Sequence, residues 1–199
     1  MIKFEQINES LPYQKFIKAY NEALDKNQKS IEAVAISSFD INSNEVESRF
    51  VNLKYINNDE WIFFTNYGSL KADNFTNHDQ ISALFYWSSI NIQIRIKAII
   101  YKTDDYISDT HFKNRSMEKN ALAISSDQSK LTESYENVIA KYNKVYNSGD
   151  TNLNRPNYWG GFSFKPYYFE FWEGRESRLN KRDIYDMQKG LWEHSILEP

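Results

Sequence analysis

Ile92-Gln93-Ile94-Arg95-Ile96-Lys97-Ala98-Ile99-Ile100-Tyr101 decides the fold class. Ile92, Ile94, Ile96, Ala98 and Ile100 alternate with Gln93, Arg95 and Lys97, the period of a strand whose side chains point to opposite faces in turn. One face is apolar and the other polar, so the segment predicts a half-buried strand. Working outward, short apolar runs of the same kind recur. Ala33–Phe39, Arg49–Tyr55, Trp61–Thr65 and Ile81–Trp87 precede it, and Phe162–Trp172 follows. Arg182–Tyr185 and Leu191–Ile196 predict a closing hairpin around Gln188-Lys189-Gly190. Asn42-Ser43-Asn44-Glu45 and Asn57-Asn58-Asp59 supply turn chemistry between the early strands.

Helices are interspersed. Pro12, Tyr13, Phe16, Ile17, Tyr20, Ala23 and Leu24 recur at three- and four-residue steps, with Pro12 suited to a first helical turn. Ser69 is an N-cap candidate for a helix over Leu70–Asn77. Ser108 opens a segment toward Arg115, and Lys119–Ser125 predicts a second short helix. Tyr135, Val138, Ile139, Tyr142, Val145 and Tyr146 form the stripe of a longer helix starting near Thr132. Asn147-Ser148-Gly149-Asp150 ends it, and a polar loop runs on to Asn157. Antiparallel strands with helices inserted among them predict a mainly β protein with peripheral helices (α+β), its strands forming a closed or nearly closed barrel. Residues 1–199 are expected to form a single domain, with 1–30 as an N-terminal helical extension.

Composition narrows the function classes. The 199 residues are 41% hydrophobic and 16% aromatic, enough for a folded core. With no cysteine there is no disulfide, thiolate metal site or cysteine nucleophile, which fits a reducing cytoplasm. No secretory signal pattern and no apolar run of about 20 residues is visible, so no membrane partner is expected. A net charge of −3 gives no electrostatic case for nucleic-acid binding.

The chemistry is distributed along the chain. His78, His111 and His194 lack metal-ligand spacing with one another, so no metal site is expected. Asp104-Asp105 reads as a solvated loop. No GxSxG, GxGxxG or Walker sequence occurs. What remains is positive charge near aromatic strand ends. Arg49 and Lys54 bracket one strand. Ser69 and Lys71 stand at a helix start, where the dipole and free N–H groups favour a phosphate. Phe171-Trp172 leads to Arg178 and Arg182, a stacking surface beside guanidinium forks suited to a flat, anionic ligand.

Several segments carry a family resemblance: Ser48-Arg49-Phe50-Val51-Asn52-Leu53-Lys54, Phe63-Phe64-Thr65-Asn66-Tyr67-Gly68-Ser69-Leu70-Lys71, and Leu84-Phe85-Tyr86-Trp87 with Gln93 six residues on. To these are added Ser126-Asp127-Gln128-Ser129, Tyr158-Trp159-Gly160-Gly161-Phe162, Glu170-Phe171-Trp172-Glu173-Gly174, Arg178-Leu179 and Leu197-Glu198-Pro199. In that order the chain resembles the pyridoxamine 5′-phosphate oxidase family, FMN-binding proteins with a split β-barrel. The resemblance implies FMN contacts from Arg49, Val51, Lys54, Phe64, Thr65 and Lys71, with Ser69 beside them at the helix start. It implies further contacts from Gln93, Gln128, Ser129, Trp172 and Arg182, and a homodimer with FMN at its interface.

On the substrate side the resemblance implies Lys54, His111, Arg115 and Lys119, with His111 and Lys119 standing where the family has tyrosine and serine. Arg178 and Asn180 fall at the family's catalytic Arg-x-His, so asparagine replaces an imidazole that can titrate. Leu70 stands where an arginine helps hold the FMN phosphate. The implied reaction is oxidation of pyridoxamine or pyridoxine 5′-phosphate, by hydride transfer to flavin N5. Oxygen is the acceptor, and pyridoxal 5′-phosphate and hydrogen peroxide are the products. Two alternatives stay open: an FMN-dependent oxidase of another small molecule, of the phenazine-precursor type, and a flavin-binding protein with little turnover.

Overall fold

The computed structural model describes residues 1–148 and 154–199. Its elements run β1 (Lys3–Ile7), α1 (Leu11–Asp25), β2 (Ala33–Asp40), β3 (Glu45–Asn52), β4 (Tyr55–Asn58), β5 (Glu60–Asn66), α2 (Leu70–Asn77), β6 (Gln80–Trp87) and β7 (Ile92–Lys102). Then come α3 (Asp105–Lys113), α4 (Met117–Ser125), α5 (Tyr135–Tyr146), β8 (Trp159–Glu173), β9 (Lys181–Gln188) and β10 (Leu191–Leu197). The strands form one mixed sheet in the order β1-β4-β5-β8-β7-β6-β2-β3, with β9 added to β8 and β10 to β9. Every pairing is antiparallel except β1 with β4.

β8 explains how the barrel is split. It pairs with β7 along its length, while its other edge serves two partners: Trp159–Phe164 pairs with β5, and Tyr168–Glu173 with β9. Pro166 sits between these halves, where the register against β7 slips opposite Lys97 and Ala98. Proline cannot donate to a ladder and is tolerated at such an irregularity, which bends the strand.

The alternation of β7 is realised: Ile94, Ile96, Ala98 and Ile100 are buried, while Lys97 and Ile99 are exposed. Helix α1 lays Tyr13, Phe16 and Tyr20 onto the same core. Phe16 meets Trp61 at 4.5 Å and Trp87 at 5.3 Å, and Tyr13 meets Phe169 at 5.3 Å. Replacing a ring so buried with alanine costs about 3–5 kcal/mol. The N-terminal segment is therefore part of the barrel's packing and more than a helical appendage. It also holds an unforeseen strand, β1, whose Lys3 and Phe4 pair with Tyr55 and Ile56. Its polar sequence, Lys-Phe-Glu-Gln-Ile, buries little and so lacks a strand-like pattern.

Local boundaries differ from expectation where hydrogen bonds intervene. The single strand expected over Arg49–Tyr55 is broken, because Leu53 N–H donates to Glu32 O and Lys54 N–H to Ile62 O as the chain crosses between partners. Helix α3 starts before Ser108. Asp104 is its N-cap, its carboxylate accepting from Tyr106 N–H, and Asp105 pairs with Arg155 at 2.8 Å, so both members of the acidic pair have a structural use. Helix α5 starts after Thr132, with Ser134 Oγ accepting from Asn137 N–H. Gly149 and Asp150, expected to end that helix, lie outside the described residues, as do the first residues of the loop expected to follow.

Candidate functional site

Strands β3 and β5 and helices α2, α3 and α4 converge on a cavity of about 510 Å³. Its lining includes Val51, Lys54, Phe64, Thr65, Lys71, His111, Arg115, Lys119 and Gln128. Residues scattered over nearly eighty positions are thus gathered in one place. Trp159 joins them without having been foreseen as a contact. Its signal was its place at the start of a strand in the Tyr-Trp-Gly-Gly segment, where an aromatic reads equally well as core.

One end of the cavity is set by the start of α2. Ser69 occupies the N-cap position, but its hydroxyl donates to Asn66 O at 2.7 Å, so no side chain caps the helix. The positive end of the helix dipole therefore stays available to an anion. Lys71 Nζ donates to Ser69 Oγ at 3.2 Å and Thr65 Oγ1 at 3.3 Å, and has no acidic partner among the described residues. Burial, and then the charge of Arg49, lower its pKa to about 8. Arg49 itself donates to Ser38 Oγ at 2.7 Å and Ile36 O at 3.3 Å. Gln128 Oε1 accepts from Thr65 Oγ1 at 3.0 Å and Asn66 N–H at 3.1 Å, which leaves its NH₂ group as the end free to donate.

The other end is a cluster of cations. Arg115 lies over the Trp159 ring at 4.4 Å and donates from Nη2 to Lys119 O at 3.0 Å, yet its buried Nη1 has no partner. Burial brings its pKa down to about 10. Lys54 is lowered by burial, raised by Glu32, and lowered again by Lys119 and Arg115. His111, Phe64 and Trp159 present nearly parallel rings, with His111 on Phe64 at 3.8 Å and 5°. His111 is pushed down to about 4 by burial and by Arg115, Lys54, Lys3 and Lys119. Buried cations, one of them lowered further by its neighbours, and a guanidinium nitrogen left unpaired form a donor set suited to an anion. FMN and a phosphate ester fit this donor set.

The remaining predicted residues lie elsewhere. Gln93, Trp172 and Arg182 stand in register across β7, β8 and β9. Arg182 is engaged: Nε and Nη2 approach Glu170 Oε1 at 2.9 and 2.7 Å, and Nη1 donates to Glu198 O at 2.9 Å. The other Glu170 oxygen accepts from Arg95 at 2.9 Å and Tyr168 at 3.2 Å. Arg178 is exposed and makes no hydrogen bond or ion pair among the described residues. It and Ser177 take left-handed backbone, φ 59° and 57°, costing about 1–2 kcal/mol each for residues with a Cβ. Asn180 Oδ1 accepts from Arg175 N–H at 3.1 Å, closing that loop. Ser129 sits in a turn at φ 70°, beside Gln128 but off the cavity wall.

A larger groove of about 750 Å³ lies between α1 and the ends of β7 to β9. Charges on its wall and just behind it are largely paired. Buried Asp183 pairs with Lys15, with Lys181 at 2.9 Å and with His194 at 3.0 Å, and Arg175 pairs with Glu173 at 2.8 Å. The smaller, charge-starved cavity is the better ligand site. Among the described residues, no group of three or more His, Cys, Asp or Glu could hold a metal, and no helix is long and apolar enough to cross a membrane.

Comparisons with known proteins bear on the fold and the family. Residues 159–199 match the family model for the pyridoxine 5′-phosphate oxidase C-terminal dimerisation region. The chain is 38% identical over 182 residues to a pyridoxine/pyridoxamine 5′-phosphate oxidase of Cytophaga hutchinsonii, covering 89% of this chain and 83% of that one. It is 34% identical over 191 residues to such an oxidase of Hydrogenovibrio crunogenus, with 94% and 88% covered. Among solved structures, PhzG from Burkholderia lata in complex with tetrahydrophenazine-1-carboxylic acid superposes with a TM-score of 0.90 at 24% identity, covering 96% of this chain and 93% of that one. A pyridoxamine 5′-phosphate oxidase-related, FMN-binding protein from Nostoc punctiforme gives 0.77 at 12% identity, with 94% and 98% covered. These two likenesses establish the fold, an FMN-binding split barrel. Taken with the sequence identities, they make this chain a member of the pyridoxine/pyridoxamine 5′-phosphate oxidase family of FMN-dependent oxidoreductases.

Proposed function

We propose that the protein oxidises pyridoxamine or pyridoxine 5′-phosphate to pyridoxal 5′-phosphate, with oxygen as the final acceptor, and so serves vitamin B6 metabolism. The observation that carries this reading is the unpaired cluster of Lys54, Arg115 and Lys119, with the Arg115 Nη1 donor buried and empty-handed. Such a cluster suits a phosphate dianion, because charge-assisted bonds and a guanidinium fork repay the burial of charge. Arg49, Ser69, Thr65, Lys71 and Gln128, gathered at the start of α2, hold the FMN phosphate. Bound FMN supplies the two-electron chemistry. Phe64, His111 and Trp159 wall the cavity with rings and keep water from the reacting carbon.

The protein works as a homodimer with the cofactor at the interface. Trp172, Arg178, Asn180 and Arg182 do not line the cavity of their own chain, and all four fall within the segment matching a dimerisation region. A second copy would therefore contribute them to the site, with Arg178 orienting the substrate. The exposure of Arg178 without a partner supports that role.

Anaerobic mixing with pyridoxamine 5′-phosphate tests the reading: the yellow, FMN-loaded protein should bleach within its turnover time. Tight FMN binding without bleaching would overturn it. The second reading, oxidation of another small molecule of the phenazine-precursor type, is favoured by Asn180, which closes a loop where an imidazole is expected. Bleaching by such a precursor but not by pyridoxamine 5′-phosphate would select it. A flavin bleached by neither would mark a binding protein with little turnover.

A further inference from the structure

Tyr55 has no place in the reading above, yet it is the hydrogen-bond partner of a cavity residue. Its hydroxyl lies 2.8 Å from His111 Nδ1, and its ring meets the imidazole edge-on at 5.4 Å and 87°. Tyr55 does not line the cavity, whereas His111 does. The imidazole is fixed in plane by its stack on Phe64. Its second nitrogen, Nε2, has no hydrogen-bond partner among the described residues. One edge of the ring is thus tethered behind the wall, and the other is left for a ligand.

The pair can share its proton in two ways. Either the phenol O–H donates to a bare Nδ1, which places the ring proton on Nε2, or Nδ1–H donates to the phenol oxygen, which leaves a lone pair on Nε2. Burial, and then the charges of Arg115, Lys54, Lys3 and Lys119, keep the ring neutral. With an anion held by those cations, a lone pair facing the cavity would be repelled, while an N–H would be bound. A neutral donor also adds a bond without adding to the mutual repulsion of the cations. We infer that Tyr55 is a positioning residue whose hydroxyl donates to His111 Nδ1, fixes the ring proton on Nε2, and makes His111 a neutral hydrogen-bond donor to a phosphate monoester in the cavity. The inference rests on the reading of the cavity as an anion site.

The test uses FMN-loaded protein with ¹⁵N-labelled histidine and inorganic phosphate as the probe. Only three histidines need assigning. In the unsubstituted protein, His111 should show Nδ1 bare and Nε2 protonated, and the Nε2 signal should move as phosphate is added. Tyr55→Phe should mix the two tautomers. Tyr55→Phe and His111→Phe should each weaken phosphate about three- to tenfold, the size of one hydrogen bond. The double variant should be no worse than His111→Phe alone, since both remove the same bond. A protonated Nδ1 in the unsubstituted protein would overturn the inference without any variant. So would unchanged phosphate affinity in Tyr55→Phe when Lys54→Ala weakens it, and that outcome would leave the anion site standing. If phosphate fails to bind and Lys54→Ala changes nothing, the anion site itself falls, and the role of Tyr55 with it.

Discussion

The two halves of the candidate site are prepared in opposite ways. Around the cavity, Lys54, Lys71, Arg115 and Lys119 are held together with little acid to balance them; burial lowers the pKa values of Lys54, Lys71 and Arg115, and neighbouring cations lower Lys54 and Lys71 further. On the face of β7, β8 and β9, Arg182 is locked to a buried carboxylate and a backbone carbonyl before any ligand arrives. The first half stores an unmet demand for negative charge, which a ligand answers with affinity. The second half is satisfied already, so its contribution is shape: a fixed Trp172, with Gln93 and Arg182 on either side in register. A charge left unpaired in the fold marks where binding energy will be realised, and a paired one marks what must not move.

Substitution of one arginine from each half separates these uses. Arg115→Ala should raise the KM for pyridoxamine 5′-phosphate about 10- to 150-fold, the value of a charge-assisted bond of about 1.5–3 kcal/mol. It should shift the urea unfolding free energy by less than about 1 kcal/mol, since a buried, partly unpaired cation is itself a cost. Arg182→Met should do the reverse. It strips a hydrogen bond and an ion-pair contact from Glu170, whose side chain is 3% exposed, and leaves Arg95 and Tyr168 to hold it. Stability should fall by about 1–3 kcal/mol. If Arg115→Ala unfolds the protein and Arg182→Met leaves it intact, the contrast between the halves is wrong.

Lys71 sharpens the contrast through pH. Its pKa in the free protein is about 8, and a phosphate beside it would raise that value, so FMN binding takes up a proton between the two. Affinity should be full below pH 8 and fall as pH rises above it, by at most about tenfold per unit. Titration of FMN by fluorescence quenching from pH 6 to 10 measures this directly. Lys71→Met should bind FMN more weakly at pH 7 and lose the slope. A slope that survives the substitution would assign the proton to another group.

The sheet was legible because alternation survives in the sequence: β7 keeps Ile94, Ile96 and Ala98 on its buried face, and the β9–β10 hairpin turns at Lys189 and Gly190 with positive φ. β1 was hidden because Lys3–Ile7 pairs through its backbone at an edge and buries too little to leave a pattern. The cavity residues were legible as charges and amides near strand ends, but their pairing states were not. Nothing in the sequence shows that Arg182 meets Glu170 or that Arg115 Nη1 stays unpaired, since both depend on which strands lie side by side. Trp159 and Tyr55 escaped for a related reason. An aromatic residue at a strand start has the same appearance whether it fills a core or walls a cavity.

The smallest of the expected effects falls on Asn180. Its side-chain oxygen is already used, accepting from Arg175 N–H at 3.1 Å and closing the loop that carries Arg178. That loop holds two non-glycine residues in left-handed backbone, so the closing bond opposes a real tendency to relax. Asn180→His exchanges this acceptor for a ring that can accept in the same place from one nitrogen and present the other to a substrate. If the protein oxidises pyridoxamine 5′-phosphate through a site short of one proton carrier, anaerobic flavin reduction should speed up a few-fold, about 1 kcal/mol off the barrier. Its rate should also become pH-dependent around the ordinary histidine range. A slower rate with Arg175→Ala unchanged from the unsubstituted protein would mean that loop closure, rather than proton transfer, is what Asn180 contributes. An unchanged rate on pyridoxamine 5′-phosphate would turn the search toward a substrate that needs no imidazole at this position.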